Sequence, residues 1–396
     1  MKVNTDPKII DEVLSRGVED VIVKEDLRKE MLSGRQLKIY LGTDPTGGDL
    51  HIGHAVIHKK LKDFQDLGHK VTLLVGDFTV LVGDHSDKDD QRIEVSRKII
   101  EDNMKTYKEQ FAKSVDISQV DLRYNSEWLS PLNFNDVIEL AKVFTLQQMS
   151  ERDAFQKRVK EGKPVGFDEL LYPLMQGYDA YALKTDIQIG ATDQTFNMQA
   201  GRKVMEHFNI KPQNIVAMRF LVGSDGRKMG KSLKNYIPIF SSAFEKFSGI
   251  MAIVDEIIID YFTLLTRVPL SEIAEMKSSL EAKSVNPRDL KLKLAFEVAK
   301  SFHGEKEATS AMQEFKNVVQ DKGLPDEIQE TDLNGEMSPV DFLVDSGLVS
   351  SKSEAKRLIE QGGVELNGTK LNNTENVDFK SGDVVRSGKK GFIKVK

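Results

Sequence analysis

The sequence predicts a Rossmann-like α/β fold, a doubly wound parallel sheet, and three features point to this class. Short apolar segments alternate with long helical patterns over residues 1–222. The segment "KVTLLVGDF" is continuously apolar, as parallel strands covered on both faces usually are. A glycine-rich turn, "PTGGDLHIGH", joins an apolar segment to the helical pattern that follows it. In such a sheet, ligands bind beyond the carboxyl ends of the strands.

The elements follow in order from the N-terminus. An amphipathic pattern predicts one helix over about residues 8–32, which Gly34 ends. The first strand is "LKIYLG", and a helix over 52–67 follows the glycine-rich turn. Further strands are predicted at 70–78, 120–124, 186–189 and 215–221.

The remaining patterns divide the chain into parts. A polar helical insertion is predicted at about 89–150, inside a first domain of residues 1–222. A mobile lysine-bearing loop at 223–240 and an all-helical domain at 241–325 follow. An acidic, turn-rich linker at 326–336 then leads to a small α+β module at 337–396.

Composition narrows the classes of protein. The chain of 396 residues has no cysteine, which excludes disulfides and thiolate metal sites. The formal net charge of −6 argues against general attraction to nucleic acid, so any RNA contact needs a local basic patch. There is no signal-peptide pattern and no apolar run of membrane-spanning length. We therefore expect a cytoplasmic protein without a membrane partner.

The turn "PTGGDLHIGH" places His51 and His54 at the start of a helix. The free N–H groups and positive dipole end of a helix N-terminus favour anions such as phosphate. Gly53 allows close approach of a ligand, and imidazole N–H groups can stabilise charge on a transferring phosphate. A metal site that uses His58 as well is the alternative, but too few ligands lie nearby in sequence. We expect His58 to lie on a partly exposed helix surface.

A second stretch, "GSDGRKMGKSLKNY", carries Lys228, Lys231 and Ser232 among flexible glycines, which suits a loop that binds phosphates. Alone this stretch is weak evidence, because charged glycine loops are often only solvated. "HIGH" after the first strand and Lys-Met-x-Lys-Ser after the last together resemble the paired signatures of the class I aminoacyl-tRNA synthetases. Gly230 departs from the commoner serine of this family.

The stretch "DELLYPLMQGYDAYAL" places Tyr172, Gln176 and Asp179 on one face of a helix. Apolar residues surround them, so this face can point into a pocket. The motif resembles that of the tyrosyl-tRNA synthetases. The resemblance implies that these residues bind the amino group and phenol of tyrosine, and that Tyr40 joins Asp179 at the phenolic hydroxyl.

The same resemblance assigns further residues. Those implied at the tyrosine site are Thr79, Asp84, Asn125 and Gln194. Those assigned to ATP are Thr46, Gly53, Asp193 and Lys231, although Asp193 could also cap the following helix. Asp77 stands where the family often has glycine, which makes the assignments around Phe78 less direct.

The C-terminal stretch "SGLVSSKSEAKRLIEQGGVELNG" resembles the small ribosomal-protein-S-four-type RNA-binding domain. Basic residues on its helix and in the acid-free tail can contact RNA phosphates. A solvated tail is the alternative. The RNA-binding candidates are Lys352, Lys356, Arg357, Lys389 and Lys390.

The resemblance implies a ligase that activates tyrosine with ATP and transfers it to tRNA(Tyr). ATP would arrive with Mg²⁺ as a substrate complex, with no protein-bound metal or prosthetic group. The helical domain would bind the tRNA anticodon, and the protein would be a homodimer. Two alternatives stay open: another nucleotidyltransferase that shares the histidine motif, such as a cytidylyltransferase, and an RNA-binding protein that lost the reaction.

Overall fold

The computed structural model describes residues 2–45, 50–83, 97–230, 233–320, 328–388 and 391–396. Their contacts form two compact units. The first contains Met1–Ser242 and Gly249–Phe302, and the second contains Ala243–Ser248 and His303–Lys396.

A six-stranded sheet organises the first unit. Its order is β1-β6-β5-β2-β3-β4, and all neighbours are parallel except β1, which is antiparallel to β6. The predicted doubly wound α/β class is confirmed. The strands are β1 (Val18–Ile22), β2 (Lys38–Thr43), β3 (Lys70–Val75), β4 (Val120–Tyr124), β5 (Ile187–Ala191) and β6 (Asn214–Met218).

Helices precede, separate and follow these strands. Those up to the last strand of the sheet are α1 (Pro7–Val13), α2 (Lys24–Leu32), α3 (Ile52–Asp66), α4 (Arg97–Ala112), α5 (Ser126–Leu129), α6 (Phe134–Ala141), α7 (Leu146–Ser150), α8 (Asp153–Lys160), α9 (Tyr172–Leu183) and α10 (Thr195–His207). Those after it are α11 (Ala243–Met251), α12 (Ile258–Leu265), α13 (Leu270–Glu281), α14 (Pro287–His303) and α15 (Glu305–Phe315). Short 3₁₀ turns lie at Thr79–Leu81, Ile117–Gln119, Asp168–Leu170, Thr192–Gln194 and Asp255–Ile257, and a π-helical turn at Lys316–Gln320.

The single N-terminal helix predicted over residues 8–32 is wrong, because β1 separates α1 from α2. Gly17, in the turn between α1 and β1, has φ +66°, a conformation that interrupts the helical pattern and that glycine adopts at little cost. The next five residues then pair with β6 at the edge of the sheet. An edge strand buries few of its side chains, so its apolar pattern is weak.

The predicted insertion at 89–150 begins too early. β4 pairs in parallel with β3 inside that range, so the sheet continues through it. The helices that depart from the strand rhythm lie between β4 and β5 instead. We use "insertion" below for residues 126–170.

The predicted all-helical range, 241–325, is helical where the structure describes it, but it does not form a unit of its own. α12, α13 and nearly all of α14 belong to the first unit, and α15 belongs to the second. Within the first unit, the Lys59 ammonium on α3 donates to the carbonyl of Leu265 at the end of α12 and to Ser301 Oγ on α14 (2.9 Å). This buried cation fastens the helical layer to the helix of the histidine turn.

The C-terminal module has its own apolar core, in which the rings of Phe342 and Phe379 stack 4.1 Å apart. Its sheet runs β10-β9-β12-β13-β7, beside a two-stranded β11-β8 pair. The predicted linker, 326–336, contains all of β7 and part of β8, so the chain already forms strands there. The elements are β7 (Gln329–Thr331), β8 (Gly335–Met337), α16 (Pro339–Asp345), α17 (Lys352–Glu360), β9 (Val364–Leu366), β10 (Thr369–Lys370), β11 (Val377–Phe379), β12 (Val384–Ser387) and β13 (Gly391–Val395).

In the described part of the chain, no helix has the length and apolar character needed to cross a membrane.

Candidate active site

A cavity of about 680 Å³ opens at the carboxyl ends of the parallel strands, where the sequence predicts a ligand site. It lies within the first unit. Eleven of the predicted site residues line it: His51, Gly53, His54, Thr79, Asn125, Tyr172, Gln176, Asp179, Asp193, Gln194 and Lys228.

The histidine turn forms one wall at the N-terminus of α3. The backbone N–H of His51 donates to Nδ1 of His54 (3.2 Å), and the two ring centroids are 4.0 Å apart. Because Nδ1 of His54 accepts, its neutral imidazole carries the proton on Nε2 and can donate from there. A Cβ on Gly53 would lie 2.9 Å from His51 Nδ1 and 3.3 Å from Met229 Sδ, so only glycine fits without displacing a neighbour.

His58 is not on an exposed surface, and that expectation is wrong. Its side chain is 4% exposed and packs edge-on against Phe111, with ring centroids 4.6 Å apart. Burial lowers the pKa of His58 to about 3, so the ring is neutral. Among the residues that the structure describes, no three His, Cys, Asp or Glu side chains are grouped to hold a metal ion.

The lysine loop reaches the same cavity from the end of β6. Lys228 lines the cavity, and its Nζ lies 6.0 Å from the centroid of the Phe220 ring. At the C-terminal end of the loop, the backbone runs antiparallel to the histidine turn: Ile52 N–H donates to Ile237 O (3.0 Å), and Ile239 N–H donates to Leu50 O (2.9 Å). The two signature stretches are therefore adjacent in space.

Asp179 lies on α9 at the closed end of the cavity and is 3% exposed. Its Oδ1 accepts from Trp128 Nε1 (2.7 Å), and its Oδ2 accepts from Asn125 Nδ2 (3.3 Å). Burial raises the pKa of Asp179 to about 7, and these two hydrogen bonds oppose the rise because they favour the charged form. Sequence reasoning missed Trp128, which no motif spacing marks.

A second carboxylate, Asp44, is connected to Asp179 through hydrogen-bonded polar side chains along the cavity wall. We call this series of side chains the polar chain. Its Oδ1 accepts from Thr79 Oγ1 (2.8 Å), and its Oδ2 accepts from the Tyr172 hydroxyl (2.9 Å). Thr79 in turn accepts from Asn125 (3.0 Å), so hydrogen bonds connect the two carboxylates. A Cβ on Gly76 would lie 1.8 Å from Asp44 Oδ1, so this strand end must be glycine. Sequence reasoning also missed Asp44, although it directly follows the first parallel strand.

Tyr40 is fully buried and is not among the described residues that line the cavity. It lies behind the wall. Burial, and then the charge of Asp179, raise the pKa of Tyr40 well above its ordinary value. Its hydroxyl therefore stays protonated close to the Asp179 carboxylate.

The loop after β5 supplies the opposite wall. Asp193 and Gln194 form a 3₁₀ turn there, and Gln194 Oε1 accepts from Asn197 Nδ2 (3.0 Å). Gln188 also faces the cavity, and its Oε1 accepts from Gln213 Nε2 (2.5 Å). Amide side chains are thus oriented by buried partners before any ligand binds.

Asp77 does not line the cavity. Its carboxylate accepts from the backbone N–H (2.9 Å) and hydroxyl (2.6 Å) of Ser126, at the first turn of α5. The carboxylate stabilises the start of the helix that carries Trp128.

Six predicted residues lie outside the described residues: Thr46, Asp84, Lys231, Ser232, Lys389 and Lys390.

The basic candidates of the C-terminal module are exposed on α17. Lys352, Lys356 and Arg357 are exposed, whereas Ala355 and Ile359 of the same helix are buried. An ion pair with Asp341 (2.7 Å) occupies Lys352 and raises its pKa.

Two family models match the chain. The model of tRNA synthetases class I (W and Y) matches residues 32–320, and that of the S4 domain matches residues 340–385. Curated tyrosine–tRNA ligases match nearly the whole chain. That of Thermotoga maritima is 43% identical over 97% of this chain and 96% of its own. That of Dehalococcoides mccartyi is 44% identical over 97% of this chain and 98% of its own.

Solved structures agree in fold. The tyrosyl-tRNA synthetase of Archaeoglobus fulgidus, complexed with L-tyrosine, has a TM-score of 0.62 at 21% identity and covers 78% of this chain and 100% of its own. A C-terminally truncated mitochondrial tyrosyl-tRNA synthetase of Aspergillus nidulans has a TM-score of 0.63 at 23% identity, over 78% of this chain and 93% of its own. By its family model and by these relatives, the chain belongs to the class I tRNA synthetases, among the tyrosine–tRNA ligases.

Proposed function

We propose that the cavity activates tyrosine with ATP and then transfers the tyrosyl group to tRNA(Tyr). In the first step, a carboxylate oxygen of tyrosine attacks the α-phosphorus, the bond to the bridging oxygen breaks, and pyrophosphate leaves. In the second step, a ribose hydroxyl of the terminal adenosine attacks the tyrosyl carbonyl, loses its proton, and AMP leaves. One observation carries the proposal: the histidine turn, Lys228 and the Asp44–Asp179 polar chain line one cavity.

The polar chain accounts for the choice of amino acid. The phenolic hydroxyl of tyrosine would donate to Asp179 at the buried end of the cavity. Tyr40 lies behind this wall, so its contact with the same hydroxyl would require its side chain to shift when tyrosine binds. The ammonium group would lie near Asp44, Tyr172 and Gln176. Phenylalanine would leave Asp179 without the donor that the phenolic hydroxyl of tyrosine supplies, and unpaired buried polar groups are costly.

The other end of the cavity suits ATP. His51 and His54 would hold the nucleotide and the phosphate in the transition state, with Gly53 allowing close contact. Asp193 would accept hydrogen bonds from the ribose. Lys228 would bind the leaving pyrophosphate, together with Lys231 and Ser232, and Thr46 would complete the nucleotide contacts.

Positioning and electrostatics carry the reaction, because the attacking group belongs to the substrate. No side chain need act as a nucleophile. Mg²⁺ would arrive with ATP and neutralise charge on the phosphate oxygens, its preferred ligands. The imidazole pair of the turn is a poor site for this hard cation, so His51 and His54 remain donors to phosphate.

We also propose a homodimer that forms through the insertion. Its exposed apolar side chains support this, since Phe134 is 79% exposed and Phe167 is 78% exposed. Leu146 and Val159, in the same segment, are exposed as well. Where exposed apolar side chains form a contiguous patch, another protein often covers it, and we propose that these four side chains contribute to such a patch. The basic face of α17 would contact tRNA phosphates.

Tyrosine-dependent exchange of pyrophosphate with ATP tests the first step. We expect exchange with tyrosine and far less with phenylalanine at equal concentration; tyrosyl-tRNA synthetases are the known example of rejection by about 10⁵ where a site hydrogen-bonds a substrate hydroxyl. Exchange supported equally by both amino acids would contradict the proposed role of Asp179. No exchange, together with tRNA binding, would favour an RNA-binding protein without the reaction.

A further inference from the structure

One buried side chain, Asn235, holds the described part of the lysine loop. It is 4% exposed, although the neighbouring Leu233 and Lys234 are exposed. Its Nδ2 donates to Asp225 Oδ1 (2.8 Å) and to the Lys228 carbonyl (3.0 Å). Its Oδ1 accepts from the Gly230 N–H (2.9 Å). The amide group thus fastens three points of the loop.

The backbone closes the same ring of contacts. Ser224 N–H donates to the Asn235 carbonyl (2.9 Å), and Gly223 N–H donates to the Arg227 carbonyl (2.7 Å). A Cβ on Gly223 would lie 2.2 Å from Asn235 Nδ2, so the amide packs directly on the glycine backbone. The hydrogen bonds and packing of Asn235 therefore fix the backbone conformation of residues 223–230.

Asn235 also relates the loop to the histidine turn. Two residues further along, Ile237 accepts the hydrogen bond from Ile52 in the antiparallel bridge described above. Asn235 therefore bonds the backbone of Lys228 on one wall of the ATP end of the cavity, and Ile237, two residues beyond it, bonds the histidine turn on the other wall. Asn235 itself is not among the described residues that line the cavity, so it can act there only through others.

We propose that Asn235 is a positioning residue for adenylate formation, which fixes the backbone at Lys228 and Gly230 so that the lysine faces the phosphates of ATP. The inference rests on the proposed function, because it takes Lys228 as a phosphate ligand. The single amide donates to Asp225 and to the Lys228 carbonyl and accepts from the Gly230 N–H, a combination that neither Ala nor Asp reproduces.

The first experiment uses Asn235→Ala in the full-length protein. We expect kcat for pyrophosphate exchange to fall at least tenfold, and the dissociation constant for tyrosine, followed by Trp128 fluorescence, to stay within twofold. Amide hydrogen exchange without ATP should accelerate in peptides that cover residues 223–230. Leu233→Ala is the control in the same loop, because Leu233 is 44% exposed; all three readouts should stay unchanged.

A second experiment keeps the size of the side chain. Asn235→Asp retains the acceptor for Gly230 but loses both donors and sets a carboxylate against Asp225. We expect at least as large a loss of kcat as with alanine. In the double variant with Asp225→Asn, the amide at position 225 can donate to the carboxylate at position 235. The double variant should therefore recover part of the lost rate.

Three results would overturn the inference. The first is an unchanged kcat in Asn235→Ala together with a reduced kcat in Lys228→Ala. The second is a parallel loss of tyrosine affinity and rate, which would indicate general unfolding. The third is unchanged amide exchange in the loop. A normal rate in Lys228→Ala would instead contradict the proposed role of Lys228 as a phosphate ligand. In that case, amide hydrogen exchange in Asn235→Ala would be the remaining test of whether Asn235 fixes the backbone of the loop.

Discussion

At the residue scale, the proposed role of the buried Asp179 carboxyl predicts that tyrosine binding depends on pH. Its pKa is raised to about 7, chiefly by burial, so the group is protonated below that pH in the ligand-free protein. The phenolic hydroxyl donates best to the ionised form. We expect the dissociation constant for tyrosine to be about tenfold larger at pH 6 than at pH 8, since one pH unit below the pKa leaves about a tenth of the group ionised.

Trp128 fluorescence can follow this titration, because the chain has one tryptophan and its Nε1 donates to Asp179. In Asp179→Asn the pH dependence should disappear. A slope that persists in this variant would assign the titration to another group, such as the histidine turn.

Stability has a related dependence: a folded pKa above the ordinary 3.8 stabilises the protein at low pH, and this contribution is lost as pH rises through about 7.

Sequence spacing predicts part of the site. Tyr172, Gln176 and Asp179 lie on one helix, so helical geometry alone places them together. Asp44 and Trp128 could not be predicted this way, because their partners Tyr172 and Asp179 lie 128 and 51 residues away. His58 was misplaced for the same reason, since α4 supplies the Phe111 ring that buries it.

At the scale of elements, two helices of the site cross at glycines. On α9, a Cβ at Gly177 would lie 2.7 Å from Val204 Cγ2 and 3.2 Å from the Ala200 carbonyl on α10. Gly177→Ala must therefore separate α9 from α10. Overpacking costs about 1–3 kcal/mol, and the better helix propensity of alanine returns up to about 1 kcal/mol. We expect the free energy of unfolding in urea to fall by about 1–2 kcal/mol, from these two terms.

The same variant should weaken tyrosine binding, because α9 carries Gln176 and Asp179. Val204→Ala removes the clashing methyl group, so the double variant should lose less stability than the two single changes added together. Gly42→Ala, where a new methyl group meets no atom within 4 Å, is the control for unfolding. Additive effects at Gly177 and Val204 would contradict the packing described.

The strands of the sheet centre are predictable because parallel strands buried on both faces are continuously apolar. Predicted and observed strands overlap at β2 through β6. The N-terminal segment was misread because β1 lies at the edge of the sheet, where its antiparallel partner β6 comes from residues about 200 positions later. No local pattern contains that pairing.

At the scale of the whole molecule, the division into units depends on which layers pack together. The helical segment reads as a separate domain in sequence. The buried contacts from Lys59 to Leu265 and Ser301 instead join α12 and α14 to the sheet-containing unit, whereas α15 belongs to the second unit. The residues in these contacts lie more than 200 positions apart in sequence, so hydrophobic periodicity cannot predict the contacts.

The C-terminal module should serve tRNA and not the first step. Truncation after Gln320 removes its sheet and the basic face of α17. We expect tyrosine-dependent exchange to stay within twofold and tRNA charging at subsaturating tRNA to fall at least tenfold, since several phosphate contacts are lost. Lys356→Glu with Arg357→Glu should reduce charging in the same direction. Full charging by the truncated enzyme would rule out this role.

The insertion should hold two copies of the chain together. Phe134→Asp places a charge on the exposed apolar surface without disturbing a buried contact, so we expect sedimentation to show a dimer for the parent and a monomer for the variant. Ile9→Asp, an exposed apolar position outside the insertion, should leave the dimer intact. A monomeric parent, or a dimeric Phe134→Asp protein, would contradict the assignment of the interface.

A crystal structure with a non-hydrolysable tyrosyl-adenylate analogue tests the assignment of the cavity most directly. The phenolic oxygen should lie within about 2.6–3.2 Å of Asp179. The adenylate phosphate should lie at the N-terminus of α3, beside His51 and His54. A phenol at the opposite end of the cavity, or an analogue bound away from the polar chain that joins Asp44 to Asp179, would contradict the proposed site.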